Sequence, residues 1–242
     1  MTLTSHPLLK FFFLCALILN VLTWVYARDI KGRWANVPPV PSRAGAASFA
    51  LGDQQFAYRV IAIMLQNLGD TGGRSTPLDQ YNYDDLAKWF FLEDQLDTRS
   101  NYMPFLASYY FGAVQDPQKL PPLLAYLRKI GESAEGERWR WLAHAVYLAR
   151  FDMKDQDRAL ELAYALASIK NDKMPHWARQ MPVFVLNMKG DKKEALDMMV
   201  EMLRSGADTM SAAEINFTRD YICTRILDAA EAAVHPLCQD NP

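Results

Sequence analysis

A helical pattern that returns after 36 residues limits the fold of this chain more than any other feature. Residues 155–162 read DQDRALEL and residues 191–198 read DKKEALDM, so that Asp, Ala and Leu coincide. The same offset pairs Trp141 with Trp177. Helices that return at a near-constant interval bury their apolar faces by stacking one hairpin on the next. The sequence therefore predicts an all-α fold.

The helical pattern begins near residue 52, and short connections with Asp, Asn, Gly or Pro interrupt it. Asp53 is a favourable N-cap for the first helix, and Gly69 is a favourable residue to end it. The predicted helices cover residues 54–68, 82–96, 101–114, 117–130, 136–152, 156–169, 175–188, 191–204 and 210–233. The last helix is expected to cap the stack by covering its final apolar face.

The repeat resembles the tetratricopeptide-repeat family in a divergent form. The resemblance rests on the Ala-Leu pairs at 159–160 and 195–196, and on Leu-Asp-Thr at 96–98, which is similar to the family's helix-ending Leu-Asp-Pro. It covers roughly residues 53–206, but the period is 36 rather than 34 and the family's Trp–Leu–Gly–Tyr spacing is not met. A generic α-solenoid also fits. The resemblance implies an α-solenoid of about four helix-hairpin repeats that acts as a scaffold through a concave groove, without catalysis.

The N-terminal residues predict a membrane anchor. Residues 8–27 carry one charge, Lys10, and about 20 helical residues span a hydrocarbon core of roughly 30 Å. A cleaved signal peptide is the alternative, because Val-Tyr-Ala at 25–27 fits the small-x-small rule. Trp24 and Tyr26 are bulky neighbours for a cleavage site and suit the membrane interface, so we expect an uncleaved anchor.

Two features of the anchor predict opposite membrane orientations: the positive charges that flank it, and its similarity to a signal peptide. Arg28, Lys31 and Arg33 follow the apolar segment and outnumber Lys10, which favours a cytoplasmic domain. A short N-terminal anchor of this kind usually exports the chain that follows it. We predict a single-pass protein of the inner (cytoplasmic) membrane with a periplasmic soluble domain.

Three regions follow from these features: an anchor at 1–27, a linker at 28–50 and a helical-repeat domain at 51–242. The linker contains Val-Pro-Pro-Val-Pro at 37–41. Closely spaced prolines favour polyproline II, so this stretch is predicted to be a semi-rigid spacer. A short proline-rich ligand is the alternative.

Two of the three cysteines lie near the C-terminus. Cys223 and Cys238 can form a disulfide in an oxidising compartment and tie the tail to the last helix. Two reduced thiols are the alternative. Cys15 lies inside the apolar segment.

Composition and motifs argue against several classes of function. The formal charge of −2 lacks the basic excess that nucleic acid binding requires. The four histidines lie far apart without carboxylate or Cys companions, so neither a metal nor another cofactor is expected. No nucleophile motif is present, and we predict no catalytic residues and no enzyme. The Gly-rich stretch at 69–74 follows a helix rather than a strand, which is typical of a helix end and not of a phosphate loop.

Polar residues on the first helix of each predicted hairpin indicate a partner-binding groove. They are Arg59, Gln66, Arg140, His144, Arg179, Gln180 and Asn187. Arginines in a groove favour an extended peptide with carboxylates, through bidentate pairing. The alternative is that each arginine pairs with a neighbouring acid and only solvates its helix.

Together these features predict a membrane-anchored scaffold that binds or stabilises a protein partner or a membrane complex. The alternatives are an all-α enzyme of the cell envelope that acts on polysaccharide, and an accessory subunit of a respiratory or transport complex. The enzyme requires two inward carboxylates about 5–10 Å apart. The predicted inner helices offer Arg, Gln and His instead.

Overall fold

The structure is a computed structural model, and it describes residues 7–27, 37–69, 75–206 and 208–239. Every regular element in these ranges is helical, and none of the described residues lies in a strand. The predicted all-α class is therefore confirmed. The chain forms two compact units, Met1–Ala35 and Asn36–Pro242.

The first unit contains one described helix, α1 (Pro7–Ala27). At 1.5 Å per residue its 21 residues extend about 30 Å, the thickness of a hydrocarbon core. The stretch Lys10–Ala27 has a mean hydropathy of 1.8. As predicted, the chain has one N-terminal helix that is long and apolar enough to span a membrane; a signal sequence shares these two properties.

Residues 37–50 pack on the second folded unit, whereas residues 28–36 of the predicted linker lie outside the described residues. The indole Nε1 of Trp89 donates a hydrogen bond of 2.8 Å to the carbonyl oxygen of Pro38. Val37 is 1% exposed, and Ala46 on helix α2 (Arg43–Phe49) is equally buried. Buried apolar side chains and the Trp89 hydrogen bond therefore fix this stretch onto the domain.

Six helices follow, and most coincide with predicted ones. They are α3 (Gln54–Gln66), α4 (Tyr83–Leu96), α5 (Tyr102–Phe105), α6 (Pro121–Gly131), α7 (Trp139–Tyr147) and α8 (Gln156–Ala167). Asp53 caps α3 by accepting hydrogen bonds from two backbone N–H groups, as its sequence position predicts. Gly69 has a φ of +85°, where the lack of a side chain is an advantage. Residues 70–74 of the Gly-rich stretch lie outside the described residues.

The C-terminal part contains six further helices. They are α9 (His176–Arg179), α10 (Met181–Lys189), α11 (Lys192–Gly206), α12 (Ala212–Tyr221), α13 (Ala229–Val234) and α14 (Pro236–Gln239). The single helix predicted over 210–233 is interrupted at Leu227. The interruption arises because Asp228 and Glu231 form a capping box that starts a new helix.

Three helices continue into a wider, π-helical turn. These turns cover Leu106–Tyr110 after α5, Leu148–Asp152 after α7, and Ile222–Ile226 after α12. A π-helical turn inserts an extra residue and so changes the direction in which the following side chains point. Two of the three turns contribute residues to the groove described below.

Helices pack on their near neighbours in the sequence. Contacts join α4 to α6, α6 to α7, α7 to α8, α8 to α10, and α10 to α11. The closest approach lies between α6 and α7, where a Cβ on Gly131 would stand 2.5 Å from Cβ and 2.6 Å from N of Leu142. Only glycine permits this separation, which holds α7 against the core.

One carboxyl group is enclosed in the core behind these helices. Glu93 on α4 is 0% exposed, and neither of its oxygens has a hydrogen-bond partner among the described residues. Burial raises the pKa of Glu93 to about 8, so the side chain is mostly protonated at neutral pH.

Candidate partner-binding groove

A groove of about 1200 Å³ opens on the surface of the second unit. Its walls come from α5 with its π-helical turn, from α7, and from the segment around α9. These elements correspond to the first helices of three consecutive predicted hairpins. Aromatic rings dominate the walls: Phe105, Tyr109, Trp139, Trp141, Tyr147 and Trp177.

Helical periodicity explains how α7 contributes to this groove. Trp141, His144 and Tyr147 are spaced by three residues and share one face of the helix. The opposite face carries Leu142 and Ala145, which are both 0% exposed. The apolar face therefore fixes α7 on the core, and the aromatic face remains available.

The rings form a continuous series of contacts from α5 to the π-helical turn that follows α7. Ring centroids of Phe105 and Tyr109 are 5.1 Å apart, and those of Tyr109 and His144 are 4.5 Å apart. The series continues from His144 to Tyr147 at 5.6 Å, and from Tyr147 to Phe151 at 4.8 Å. Such contacts restrict the rotamers of each ring, so the groove is pre-organised.

Several of these rings are about half exposed. The exposed fraction is 51% for Phe105, 55% for Tyr109, 50% for Tyr147 and 43% for Trp177. Contiguous exposed apolar surface marks an interaction site more often than an isolated exposed residue does. Aromatic side chains are also enriched among the residues that carry binding energy.

Two polar groups lie between the rings. Burial lowers the pKa of His144, while a hydrogen bond with the Ser108 backbone opposes that change, so the imidazole is mostly neutral at pH 7. The Ser108 side chain is 2% exposed and its hydroxyl has no partner among the described residues. The groove therefore offers a neutral imidazole, whereas the Ser108 hydroxyl is buried beneath its wall.

Two cationic side chains that can pair with a carboxylate line the groove, Lys173 and Arg140. The Arg140 guanidinium lies 3.0 Å from Glu137 and 5.6 Å from the ring centroid of Trp139. Both charged side chains of the pair are more than half exposed, so the ion pair is weak and exchangeable. Arg140 thus makes the contact with a neighbouring acid that the alternative of a merely solvating arginine predicts.

Three other predicted groove residues have partners elsewhere in the fold. Arg179 donates to the carbonyl oxygen of Asn171 at 3.0 Å. Gln180 is 3% exposed and donates to the Thr218 hydroxyl at 2.9 Å. Asn187 donates to the Tyr221 hydroxyl at 3.2 Å. The helical face shifts here because the segment divides into α9 and α10 at Gln180, next to Pro182.

The two predicted groove residues on α3 do not line the groove. Gln66 is exposed and accepts a hydrogen bond from the Tyr102 hydroxyl. Arg59 is exposed as well. Of the seven predicted residues, the structure brings only Arg140 and His144 together in the groove.

The C-terminal cysteines are joined in the structure. Cys223, in the π-helical turn after α12, is bonded to Cys238 on α14, with Cα atoms 5.7 Å apart. Arg219 adds two hydrogen bonds, of 3.2 and 3.1 Å, to the carbonyl oxygen of Leu237. Together these links fix the tail against α12.

Among the residues that the structure describes, no three His, Cys, Asp or Glu side chains assemble as metal ligands. His6 lies outside that part of the chain. Comparisons with protein-family models, curated proteins and solved structures find no match to this chain.

The groove differs from the predicted one chiefly in its aromatic character. The sequence does contain a signal, because Phe105–Tyr109 and Trp141–His144–Tyr147 have helical spacing. That signal is ambiguous, since the same spacing describes a buried core face.

Proposed function

We propose that this chain is a membrane-anchored interaction protein whose groove holds a segment of a protein partner. The proposal depends on one observation: half-exposed aromatic rings in mutual contact line successive first helices. Removing such rings from water favours binding, and their restricted rotamers lower the entropy that binding costs.

The architecture that we propose for the second unit is an α-solenoid of about four hairpins with a C-terminal cap. Contacts between successive helices from α6 to α11 support it. In a solenoid the first helix of each hairpin faces the same surface, which accounts for a groove with walls from α5, α7 and α9. The tetratricopeptide resemblance implies the same arrangement.

The chemistry of the groove favours a particular peptide. Aromatic walls suit large apolar or proline side chains, and Arg140 suits a carboxylate beside them. The neutral His144 ring suits a peptide backbone, because a neutral imidazole nitrogen can accept a hydrogen bond from a backbone N–H group. The partner segment is therefore extended or partly helical, apolar and acidic.

We place α1 in the inner membrane and the second unit in the periplasm. The signal-like order of the N-terminus and the Cys223–Cys238 bridge support this location, because disulfides persist in oxidising compartments. The partner would then belong to a membrane complex, and an accessory subunit of a respiratory or transport complex is one form of this role.

The groove offers no comparable support for glycoside chemistry. Glu137 and Asp152 both line it, but Glu137 lies in the turn before α7 and Asp152 ends the π-helical turn after it, so the whole of α7 lies between them. The nine residues of α7 alone extend about 14 Å. Glycosidases place their two carboxyl groups about 5–10 Å apart.

Photo-cross-linking in the full-length protein tests the binding role. Benzoylphenylalanine at position 147 or 177, in the source membrane, should cross-link to the same partner protein. The same label in place of Tyr164 on α8 is the control, because that ring is 40% exposed but belongs to a second helix.

Two further results would decide the matter. Adding Tyr109→Ala to the position 177 label should reduce the yield of the cross-link while the thermal unfolding midpoint stays unchanged. Equal cross-linking from positions 147, 177 and 164, or none from the groove positions, would contradict the proposal.

A further inference from the structure

A second exposed apolar surface lies at the start of the folded unit, away from the residues that line the groove. It consists of Phe49 at the end of α2, Leu51 in the following turn, and Phe56, Val60 and Ile63 on α3. We call it the α2–α3 face. The exposed fractions are 88% for Phe49, 99% for Leu51, 55% for Phe56, 50% for Val60 and 62% for Ile63.

The α3 helix is apolar on two opposite sides. Phe56, Val60 and Ile63 recur at intervals of four and three residues, which is one face of the helix. Ala57 and Leu65 lie on the other side and are 3% and 0% exposed. A surface helix of a soluble domain normally carries polar residues on its outer side, so the outer side of α3 is suited to a second apolar environment.

The turn before α3 presents Leu51 at a conformational cost. Leu51 has a φ of +54°, a region that bulky side chains rarely adopt. Nothing in the described chain covers its side chain, which is 99% exposed. Packing within the folded unit therefore does not compensate this strain, whereas removing the leucine from water would.

A basic residue borders the apolar surface. Arg59 lies between Phe56 and Val60 in the sequence and near Ile63 on the helical wheel. It is exposed and has no hydrogen bond or ion pair among the described residues. Exposed apolar side chains edged by an unpaired arginine are the pattern of helices that lie in a bilayer interface with anionic headgroups.

The geometry points to the lipid bilayer as the occupant of the α2–α3 face. This inference rests on the proposed membrane anchor. Residues 28–36 separate α1 from the first described residue of the second unit, Val37, so ten peptide steps reach at most about 35 Å. A fluid bilayer also accepts side chains that protrude almost fully, because it needs no preformed pocket.

The test uses full-length protein in vesicles of phosphatidylethanolamine and phosphatidylglycerol. An environment-sensitive fluorophore is attached at Leu51→Cys in a Cys15→Ser background, with the Cys223–Cys238 bridge left oxidised. The matched control carries the label at Val234→Cys on α13, where the side chain is 74% exposed. Collisional quenching by spin labels on lipid chains and by aqueous iodide is then compared.

The label at position 51 should be quenched by the lipid-borne spin labels and protected from iodide, and the label at position 234 should show the opposite. Adding Phe49→Ser, Phe56→Ser and Ile63→Ser should make position 51 behave like position 234. Replacing phosphatidylglycerol by a neutral lipid should weaken the lipid quenching at 51, and Arg59→Ala should do the same.

Iodide access at position 51 equal to that at position 234 would overturn the inference. Protection of position 51 from both quenchers that grows with protein concentration would also overturn it, because it would indicate contact with a second copy of the chain. Flotation of the same sample reports the anchor separately. If the protein floats with the vesicles but iodide quenches the label at position 51, only the bilayer contact is refuted. If the protein does not float, the anchor is refuted and this inference with it.

Discussion

The groove and the α2–α3 face both expose apolar side chains, but they differ in composition and in how many contacts hold the exposed side chains in place. Groove rings contact one another at 4.5–5.6 Å and have Ser108, His144 and Arg140 beside them. The α2–α3 face has no ring contact among its described residues and one charge, Arg59, at its edge. Its tips, Phe49 and Leu51, protrude almost completely.

This difference indicates which kind of partner each surface suits. Ordered rings with polar neighbours define a shape and a hydrogen-bonding pattern, and a folded or peptide partner can recognise both. Protruding aliphatic side chains without polar partners define neither, and they suit a fluid apolar phase. The predictions below therefore separate the two surfaces.

The largest expected effect comes from the contact that holds α7 in place. Gly131→Ala inserts a Cβ against the backbone and Cβ of Leu142, so we expect a loss of about 3 kcal/mol in the free energy of unfolding and weaker partner binding. Denaturant unfolding measures the first quantity. The control is Gly45→Ala on α2, where the nearest atoms are 3.3 and 3.5 Å away and the change should stay within about 1 kcal/mol. Equal losses for the two variants would contradict the close α6–α7 packing.

The second prediction concerns partner affinity, which should change without a change in the stability of the fold. Tyr109→Ala with Tyr147→Ala removes two half-exposed rings and should weaken partner affinity by roughly 30-fold, because we expect the two rings together to contribute about 2 kcal/mol. Lipid quenching at position 51 should not change. Titration of the purified partner segment gives the affinity. If the double variant binds the partner segment as tightly as the unmodified chain does, the two rings do not contribute to binding.

A third effect concerns Glu93, the buried carboxyl group on α4. The folded state holds a proton on Glu93 up to a pH of about 8, whereas the unfolded chain releases it near 4.5. Between these values the folded state binds more protons, so stability should fall by about 1 kcal/mol per pH unit as pH rises.

Glu93→Gln should remove this pH dependence, because the amide does not titrate. Unfolding curves between pH 5 and pH 8 (roughly the window set by the two pKa values) test it. Glu132→Gln, at an exposed carboxylate next to α6, is the control and should keep the slope. A slope that survives Glu93→Gln would show that another group is responsible.

The smallest effect is expected on the α2–α3 face. Phe56→Ser should change the free energy of unfolding in detergent-free nanodiscs without anionic lipid by no more than about 0.5 kcal/mol, since the side chain is half exposed. Ala57→Ser, on the buried side of the same helix, should cost more. A larger loss for Phe56→Ser would mean that the face contributes to folding rather than to an interface.

The sequence predicted most helices because their caps and periodicity are local. Asp53 caps α3 where expected, and the periodic stretches became α4, α6, α7, α8 and α11. The interruption at Leu227 was also visible locally, since Asp-Ala-Ala-Glu at 228–231 is a capping-box sequence. The π-helical turns carried no such signal, and tertiary packing decides them.

The site was harder to predict, because helical spacing does not distinguish a core face from a groove. In the run Tyr109-Tyr110-Phe111 the third ring is fully buried and the first is 55% exposed. Tyr109 lies within the π-helical turn Leu106–Tyr110, and Phe111 directly follows it, a change of helix type that the sequence pattern does not indicate. Likewise, Gln180 and Asn187 had the right spacing, but the interruption between α9 and α10 directs them to α12 and its π-helical turn.

Hydroxyl-radical footprinting of the full-length protein with and without its cross-linking partner tests the central claim most directly. Oxidation of Tyr109, Tyr147 and Trp177 should fall when the partner is bound, while oxidation of Tyr164 on α8 stays the same. Unchanged oxidation of the three groove rings, together with protection of Tyr164, would place the partner on the other side of the helices and contradict the account.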